Sequence, residues 1–271
     1  MRESLSVCPV PIDLAWKDPE ENLRRAEDAV KRLLLQARLP PDQILFLLPE
    51  LTLTGFVTKD PQAYTVEPAH PHLEAARALA RRLGTGLVIG FPELNPADPA
   101  RPFNTMALIG PDGRLACRYR KLHLFTAGKN SEAAAYTAGD RGVTCVYRGW
   151  KLGFSVCFDV RFPQLFMRYA QAGADLILLS ACWIGGPHKT YQFKTMSSSY
   201  AVLTQAYVCA VNRSGKDPFY EYDGSGYVFS PWGEDVFSGM PVALDSSEIE
   251  SYRALIKARP SDREDVQVEA A

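Results

Sequence analysis

The stretch KLGFSVCFDVRFPQLF, residues 151–166, changes from a strand-like pattern to a helix-like one within a residue or two of Cys157. The residues before the cysteine are mostly apolar, and Pro163 stands near the first turn of the helix that follows. The apolar run DLILLSACW, residues 175–183, comes next and is typical of a buried strand. A strand, a helix and a buried strand in succession indicate an α/β fold.

The first third of the chain repeats this order. An amphipathic helix with Asp18 as its N-cap precedes the continuously apolar strand ILFLLPEL, residues 44–51. A second helix, HLEAARALARRLG at 72–84, ends at a glycine and leads to the strand TGLVIGFPE at 85–93. The strands at 44–51 and 175–183 are similar, because each follows a helix and opens into a polar or aromatic loop.

Hairpins occupy the middle of the chain. Residues 103–125 and 144–158 each read as two strands around a turn, and a further helix is predicted at about 189–204. Residues 246–271 contain a helical segment and a charged tail. Because no Ser/Gly-rich linker interrupts this order, we predict one domain over residues 1–271, with a mixed sheet and helices outside it.

The composition excludes several kinds of partner. The 30 basic side chains nearly balance the 31 acidic ones, so no general attraction to nucleic acid or to an anionic membrane surface is expected. No apolar run approaches the ~20 residues that span a bilayer, and the N-terminus lacks the pattern of a signal peptide. The six cysteines contain no Cys-x-x-Cys pair, and the four histidines show no metal-ligand spacing. We therefore expect a cytoplasmic protein that binds a small molecule and has no metal site.

Two charged residues follow strand-like segments. Glu50 comes directly after a buried strand, where it is either a desolvated carboxylate suited to general base catalysis or a residue already in water. Lys121, in YRKLHLF at 119–125, is either an oxyanion-stabilising ammonium or a solvated lysine at the rim. Each pattern by itself leaves both interpretations open.

Cys157 is the strongest candidate for a nucleophile. A strand-to-helix turn exposes the thiol, and the backbone N–H groups at the start of the helix favour a thiolate and a developing oxyanion. The alternative is a buried structural cysteine, which we expect for Cys8, Cys117, Cys145 and Cys209. The short turn favours the nucleophile.

Glu50, Lys121 and Cys157, in this order and each at the end of a strand-like segment, resemble the Glu-Lys-Cys triad of the nitrilase (carbon–nitrogen hydrolase) superfamily. The resemblance extends from LLPELTLTGF at 47–56 to GSGYVFSPWGE at 224–234. It implies a four-layer αββα sandwich in which helices flank two mixed β-sheets. It also implies a homodimer or larger homo-oligomer formed through the outer helices, and no metal or organic cofactor.

The resemblance assigns a role to each site residue. Glu50 is the general base and Cys157 the nucleophile that attacks an amide or nitrile carbon. Lys121, together with the backbone N–H of Phe158, holds the negative charge of the tetrahedral intermediate. Glu132, an ordinary loop glutamate by its sequence context, corresponds to a second glutamate that orients the lysine and the substrate.

The expected substrate follows from the omega-amidase branch, which CFDVRFP and SACW resemble most. Its members hydrolyse the terminal amide of short 2-oxo acids such as 2-oxoglutaramate and 2-oxosuccinamate. Arg161 either pairs with the substrate carboxylate or forms a structural ion pair with Asp159 or another carboxylate. Phe125, Trp183 and Tyr222 are candidates for the walls of a small pocket.

The sequence departs from the family pattern at two places. The helical segment SSSYAVLTQ, residues 197–205, has Leu203 and Thr204 where an acid and an amide are usual, and GGPHK, residues 185–189, lacks the usual run of charged residues. The alternatives are an amidase or carbamoylase of different substrate, a non-catalytic scaffold, an α/β-hydrolase with a cysteine nucleophile, and a redox sensor in which Cys182 resolves Cys157.

Overall fold

The computed structural model describes residues 2–126 and 131–257 and contains two main β-sheets. The first sheet has the order β13-β1-β2-β3-β4-β5, in which β1, β2 and β3 are parallel and the outer strands are antiparallel. Its strands are β1 (Ser6–Pro9), β2 (Ile44–Leu47), β3 (Gly86–Glu93), β4 (Phe103–Ile109), β5 (Leu115–Arg120) and β13 (Val242–Ala243).

The second sheet has the order β12-β9-β8-β7-β6, in which β7, β8 and β9 are parallel and both edge strands are antiparallel. Its strands are β6 (Thr144–Tyr147), β7 (Trp150–Val156), β8 (Leu176–Ala181), β9 (Tyr207–Asn212) and β12 (Gly226–Phe229). A separate two-stranded ribbon consists of β10 (Ser214–Lys216) and β11 (Glu221–Asp223). The similarity of residues 44–51 and 175–183 thus corresponds to a real equivalence, because β2 and β8 are the central parallel strands of the two sheets.

Helices cover the outer faces of the sheets. Helices α1 (Pro19–Ala37) and α2 (Pro71–Leu83) pack against one face of the first sheet, with Val30 and Leu79 in the same apolar cluster as Ile44 and Leu87. Helices α4 (Pro163–Gln171) and α5 (Lys189–Thr204) cover the second sheet. The remaining helices are α3 (Glu132–Ala135) and α6 (Ser246–Ile256). The four-layer αββα prediction is confirmed.

The largest apolar core lies between the two sheets. Leu47 and Met106 of the first sheet are buried in one cluster with Phe154 and Leu178 of the second. Each fully buried side chain of this size contributes about 1.5–3 kcal/mol through its removal from water. The core therefore holds the two sheets in a fixed relation, and with them the loops at the ends of the strands.

Local signals explain where several elements begin and turn. The Asp18 carboxylate accepts a hydrogen bond from the Glu21 backbone N–H at 3.0 Å, as expected of an N-cap. Arg148 and Gly149, between β6 and β7, both have positive φ, as a two-residue hairpin loop requires. Gly153 in β7 allows the ring of Tyr169 in α4 to approach, since a Cβ there would lie 2.8 Å from the ring.

The predicted C-terminal helix is present as α6, and residues 258–271 of the predicted charged tail lie outside the described residues. Within the described ranges no helix has the length and apolar character that a membrane crossing requires. The altered segment 197–205 lies largely in α5, where Thr204 is buried and Leu203 is 53% exposed.

Candidate active site

The carboxyl ends of the central parallel strands of both sheets meet at one end of the sandwich. Glu50 follows β2 by three residues, and Cys182 comes directly after β8. The Glu50 carboxylate Oε2 accepts a hydrogen bond from the Cys182 backbone N–H at 2.7 Å. Ligands in α/β folds bind at such strand ends, so this junction is the first place to look for a site.

Lys121, the first residue after β5, lies between two carboxylates. Its Nζ donates to Glu50 Oε1 at 2.8 Å and to Glu132 Oε2 at 2.7 Å. All three side chains are buried, where an unpaired charge would be very costly. The structure therefore brings together three charged residues that are separated by up to 82 positions in the sequence.

Glu132 begins α3 and forms two hydrogen bonds with the backbone of Phe125. Its Oε2 accepts from the Phe125 backbone N–H at 2.9 Å, and its own backbone N–H donates to the Phe125 carbonyl at 2.8 Å. The ordinary loop context of Glu132 gave no indication of this position. Only the resemblance selected Glu132, and the structure places it in the cluster with Lys121.

Asn104 in β4 connects the two carboxylates and was missed in the sequence. Its Nδ2 donates to Glu50 Oε1 at 2.8 Å and to Glu132 Oε1 at 2.7 Å, and its carbonyl accepts from the Lys121 backbone N–H at 2.9 Å. A signal was available, because an amide inside the apolar strand FNTMALI must find buried partners. Asn104 thus fixes the separation of the two glutamates.

Cys157 stands at a sharp turn at the end of β7, where the sequence predicted one, but a 3-10 segment, Cys157–Arg161, and not a residue or two, separates β7 from α4. Its φ of 47° is left-handed, a conformation that costs roughly 1–2 kcal/mol for a residue with a side chain. Asp159 supports the turn, because its carboxylate accepts from the Val156 N–H at 2.9 Å and from the Tyr119 hydroxyl at 2.7 Å. The backbone N–H of Phe158 lies in the first turn, where donors lack intrahelical partners.

Burial and charge determine the protonation states of this cluster. Burial raises the pKa of the Cys157 thiol well above its ordinary value, and the charge of Glu50 raises it further, while Lys121 acts in the opposite sense. Burial favours the neutral amine of Lys121, but the charges of Glu132 and Glu50 outweigh this effect and raise its pKa. At neutral pH the cluster therefore holds a neutral thiol beside a charged ammonium.

These shifts predict that the Cys157 thiolate will be absent from the free protein at neutral pH. The difference in ultraviolet thiolate absorbance between the wild type and Cys157→Ala should appear only above pH 9.0, the ordinary thiol value. The other five cysteines cancel in this difference. A thiolate signal already present at neutral pH would show that a preformed ion pair, and not a neutral thiol, is the resting state.

A cavity of about 280 Å³ opens onto Cys157. Phe125 and Trp183 line it, as do Phe56, Phe158 and Tyr220, so its walls are largely aromatic. Arg161 also lines it, with its guanidinium 4.9 Å from the centre of the Trp183 ring. The cavity joins a thiol, aromatic walls and a cation in one space.

The structure corrects one sequence expectation and decides another. Tyr222 is not among the residues that line the cavity. Its hydroxyl donates to Asp217 Oδ2 at 2.6 Å and its ring lies against Arg213, in the same buried cluster as Phe56 and Cys182 of the cavity wall. Arg161 does not pair with Asp159, and its Nη2 donates to Gln192 Oε1 at 2.9 Å. Among residues 2–126 and 131–257, Arg161 therefore forms no structural ion pair.

Comparison with known proteins gives consistent matches over most of the chain. The family model described as carbon-nitrogen hydrolase matches residues 5–242. The 2-oxoglutaramate amidase of Bacillus subtilis is 25% identical over 234 residues, covering 86% of each chain. Omega-amidase NIT3 of Saccharomyces cerevisiae is 27% identical over 286 residues, covering 98% of this chain and 96% of that protein. The crystal structure of S. cerevisiae Nit3, a member of branch 10 of the nitrilase superfamily, matches with a TM-score of 0.82 at 27% identity over 94% of both chains.

Proposed function

The chain belongs to the carbon–nitrogen hydrolase family, and from this premise we propose that it is a cysteine amidase that cleaves the terminal amide of a small carboxylate-bearing substrate. One observation carries the proposal. Lys121 lies between the buried carboxylates of Glu50 and Glu132, and the charges of Glu50 and Lys121 act on the Cys157 thiol, which lines the cavity. A base, a cation and a nucleophile therefore converge where a small amide can enter.

Acylation of the enzyme follows from the protonation states. Because the Cys157 thiol is neutral, a base must remove its proton as the sulfur attacks the amide carbon, and Glu50 is our candidate. An ammonium has three N–H donors, and the two carboxylates take one each. The third N–H of Lys121 and the backbone N–H of Phe158 are available to the oxyanion.

The second half of the reaction returns the enzyme to its starting state. When the carbon–nitrogen bond breaks, the nitrogen takes the proton held by Glu50 and leaves as ammonia, with a thioester on Cys157. Glu50 then removes a proton from a water molecule that attacks the thioester carbon. The acid product leaves, and the proton on Glu50 returns to the sulfur. Glu132 and Asn104 do not react in this scheme, and their role is to hold Lys121 and Glu50 in position.

The cavity and the relatives support a short acidic amide. A volume of about 280 Å³ lies just below the range of about 300–1,000 Å³ that is usual for small-molecule sites, which favours a short substrate. Arg161 is the residue we propose to bind the substrate carboxylate. The names of the relatives, omega-amidase and 2-oxoglutaramate amidase, support 2-oxoglutaramate or 2-oxosuccinamate as substrates.

Replacement of Arg161 by methionine tests this substrate class. We expect the KM for 2-oxoglutaramate and succinamate to rise by about tenfold or more, because a charge-assisted hydrogen bond is lost, while kcat changes little. Ammonia release measures both constants. Arg114→Met, at a surface residue that is 87% exposed in its side chain, is the matched control.

The kcat/KM for a neutral amide such as propionamide should be the same in Arg161→Met as in the wild type. If propionamide and succinamate lose activity equally, Arg161 supports the fold of the site and does not recognise a carboxylate. If the wild type releases ammonia from no amide at all, the amidase proposal is wrong and a scaffold role becomes the better explanation.

Three further properties stay predictions. The exposed side chains of Tyr191 and Leu203 on α5 and Leu255 near the end of α6 are consistent with assembly through the outer helices into a homodimer or larger homo-oligomer. A cytoplasmic location is expected from the sequence pattern. We also propose that residues 1–271 form one domain, since both sheets share one apolar core.

A further inference from the structure

A second cation enters the cavity from the start of α5. Lys189 lines the cavity, and its Nζ lies 5.4 Å from the centre of the same Trp183 ring that Arg161 contacts. The Lys189 carbonyl accepts the indole N–H of Trp183 at 2.9 Å, so the lysine backbone and the ring are held together. Lys189 belongs to GGPHK, the segment that departs from the family pattern, and this segment therefore contributes directly to the cavity.

Neither cation has a carboxylate partner in the part of the chain that the structure describes. Arg161 bonds to the neutral Gln192, and Lys189 forms no ion pair there. None of the residues that line the cavity is acidic. The carboxylate of Asp223 accepts hydrogen bonds from Thr190, the next residue of α5, and from Asn212 and Ser225, and it forms no ion pair with Lys189.

Two positive charges at a mostly aromatic cavity favour the binding of a ligand that carries negative charge. The face of the Trp183 ring stabilises part of this positive charge, since an aromatic ring attracts cations. Glu50, Glu132 and Lys121 together carry one net negative charge, but none of the three lines the cavity, and neither carboxylate pairs with Arg161 or Lys189. Arg161 is exposed and Lys189 is half-buried at the rim of the cavity. A substrate with a single carboxylate would pair with one of these cations and leave the other without an anionic partner.

We propose that Lys189 is a specificity-determining residue and that the site prefers amides whose far end carries two carboxylates. This inference rests on the proposed amidase function and makes its substrate class more specific. Arg161 holds one carboxylate, Lys189 holds the second, and Trp183 keeps the two cations at the cavity in the free enzyme. The amide end of such a substrate then points to Cys157.

A matched substrate pair tests the proposal. Glutaramate and 3-carboxyglutaramate contain the same terminal amide and differ by one carboxylate, and 3-methylglutaramate adds bulk at the same carbon without charge. We expect the wild-type kcat/KM for 3-carboxyglutaramate to exceed that for glutaramate by about tenfold or more, the value of one charge-assisted hydrogen bond. The methyl compound should show no such preference.

Variants of Lys189 assign the preference to this residue. Lys189→Met keeps most of the apolar stem. In this variant kcat/KM for 3-carboxyglutaramate should fall while kcat/KM for glutaramate stays unchanged, so that the ratio of the two values becomes about one. Lys189→Arg should restore most of it. Lys194→Met is the control, because Lys194 lies on the same helix but pairs with Asp235 at 3.0 Å. A preference that survives in Lys189→Met, or a wild type that prefers glutaramate, would overturn the proposal.

A binding measurement separates this inference from the proposed function. The acids corresponding to the two amides, tricarballylate and glutarate, can be titrated into each variant by calorimetry without any hydrolysis. We expect tricarballylate to bind the wild type more tightly than glutarate, and Lys189→Met to remove the difference. If no amide releases ammonia, the amidase proposal fails, while this titration still decides whether Lys189 binds a second carboxylate.

Discussion

Exchange of Cys157 for alanine should lower kcat for amide hydrolysis by at least about 10⁴-fold, since removal of a nucleophile leaves only binding and electrostatic contributions. No thioester can form without the sulfur, so rapid-quench mass spectrometry should detect an acyl adduct on the wild type and none on the variant. The fold should persist, because alanine meets the same backbone constraint as cysteine at a φ of 47°. Ammonia release measures the rate, and thermal unfolding checks the fold.

Cys182→Ala is the matched control for this variant. Cys182 lines the same cavity and is also buried, but its side chain only donates to the Glu50 carbonyl at 3.2 Å. Its contact with the Glu50 carboxylate is made by the backbone N–H, which alanine keeps. Cys182→Ala should therefore retain most of the activity. If the two variants lose activity equally, or if Cys157→Ala still forms the acyl adduct, the nucleophile is not Cys157.

The second large effect is expected for Glu50→Gln. Loss of a general base typically costs about 10²–10⁴-fold in rate, and here both acylation and hydrolysis of the thioester depend on it. The substitution also has a structural cost, because the carboxylate accepts from Lys121, Asn104 and the Cys182 N–H on two oxygens. A glutamine amide has one acceptor oxygen, so a donor must face a donor, at a cost of about 1–3 kcal/mol.

Glu93→Gln separates catalysis from stability. Glu93, at the end of β3, is also a buried glutamate, and it pairs with Arg118 and Arg120 without contacting the Lys121 cluster. Both variants should unfold at a lower temperature than the wild type, but only Glu50→Gln should lose turnover by orders of magnitude. Retention of wild-type kcat in Glu50→Gln would place the base elsewhere.

Much of the fold could be predicted from local patterns. The start of α1 is marked by Asp18, by the proline that follows it and by an apolar stripe with helical spacing. Each of these signals depends only on residues that are close together in the chain. The change of pattern around Cys157 similarly placed a turn between β7 and α4. These features are local, so the sequence displays them directly.

The pocket walls could not be derived in this way. Tyr220 and Tyr222 are two positions apart, and only the position of Asp217 and Arg213 shows that Tyr222 turns into a buried cluster while Tyr220 faces the cavity. Phe56 and Lys189 come from segments more than 100 positions away from each other, and nothing in either segment relates it to the other.

The sequence by itself determined the α/β elements, the order Glu50, Lys121 and Cys157, and through the resemblance the family. Only the tertiary structure decided that Glu132 and Asn104 share one buried cluster with them, that Arg161 is free of Asp159, and that Lys189 reaches the cavity. The physical reason is the range of the forces involved. Caps, turns and periodicity act between neighbours in the chain, whereas the pairing of buried charges depends on which strand ends the packing of two sheets brings together.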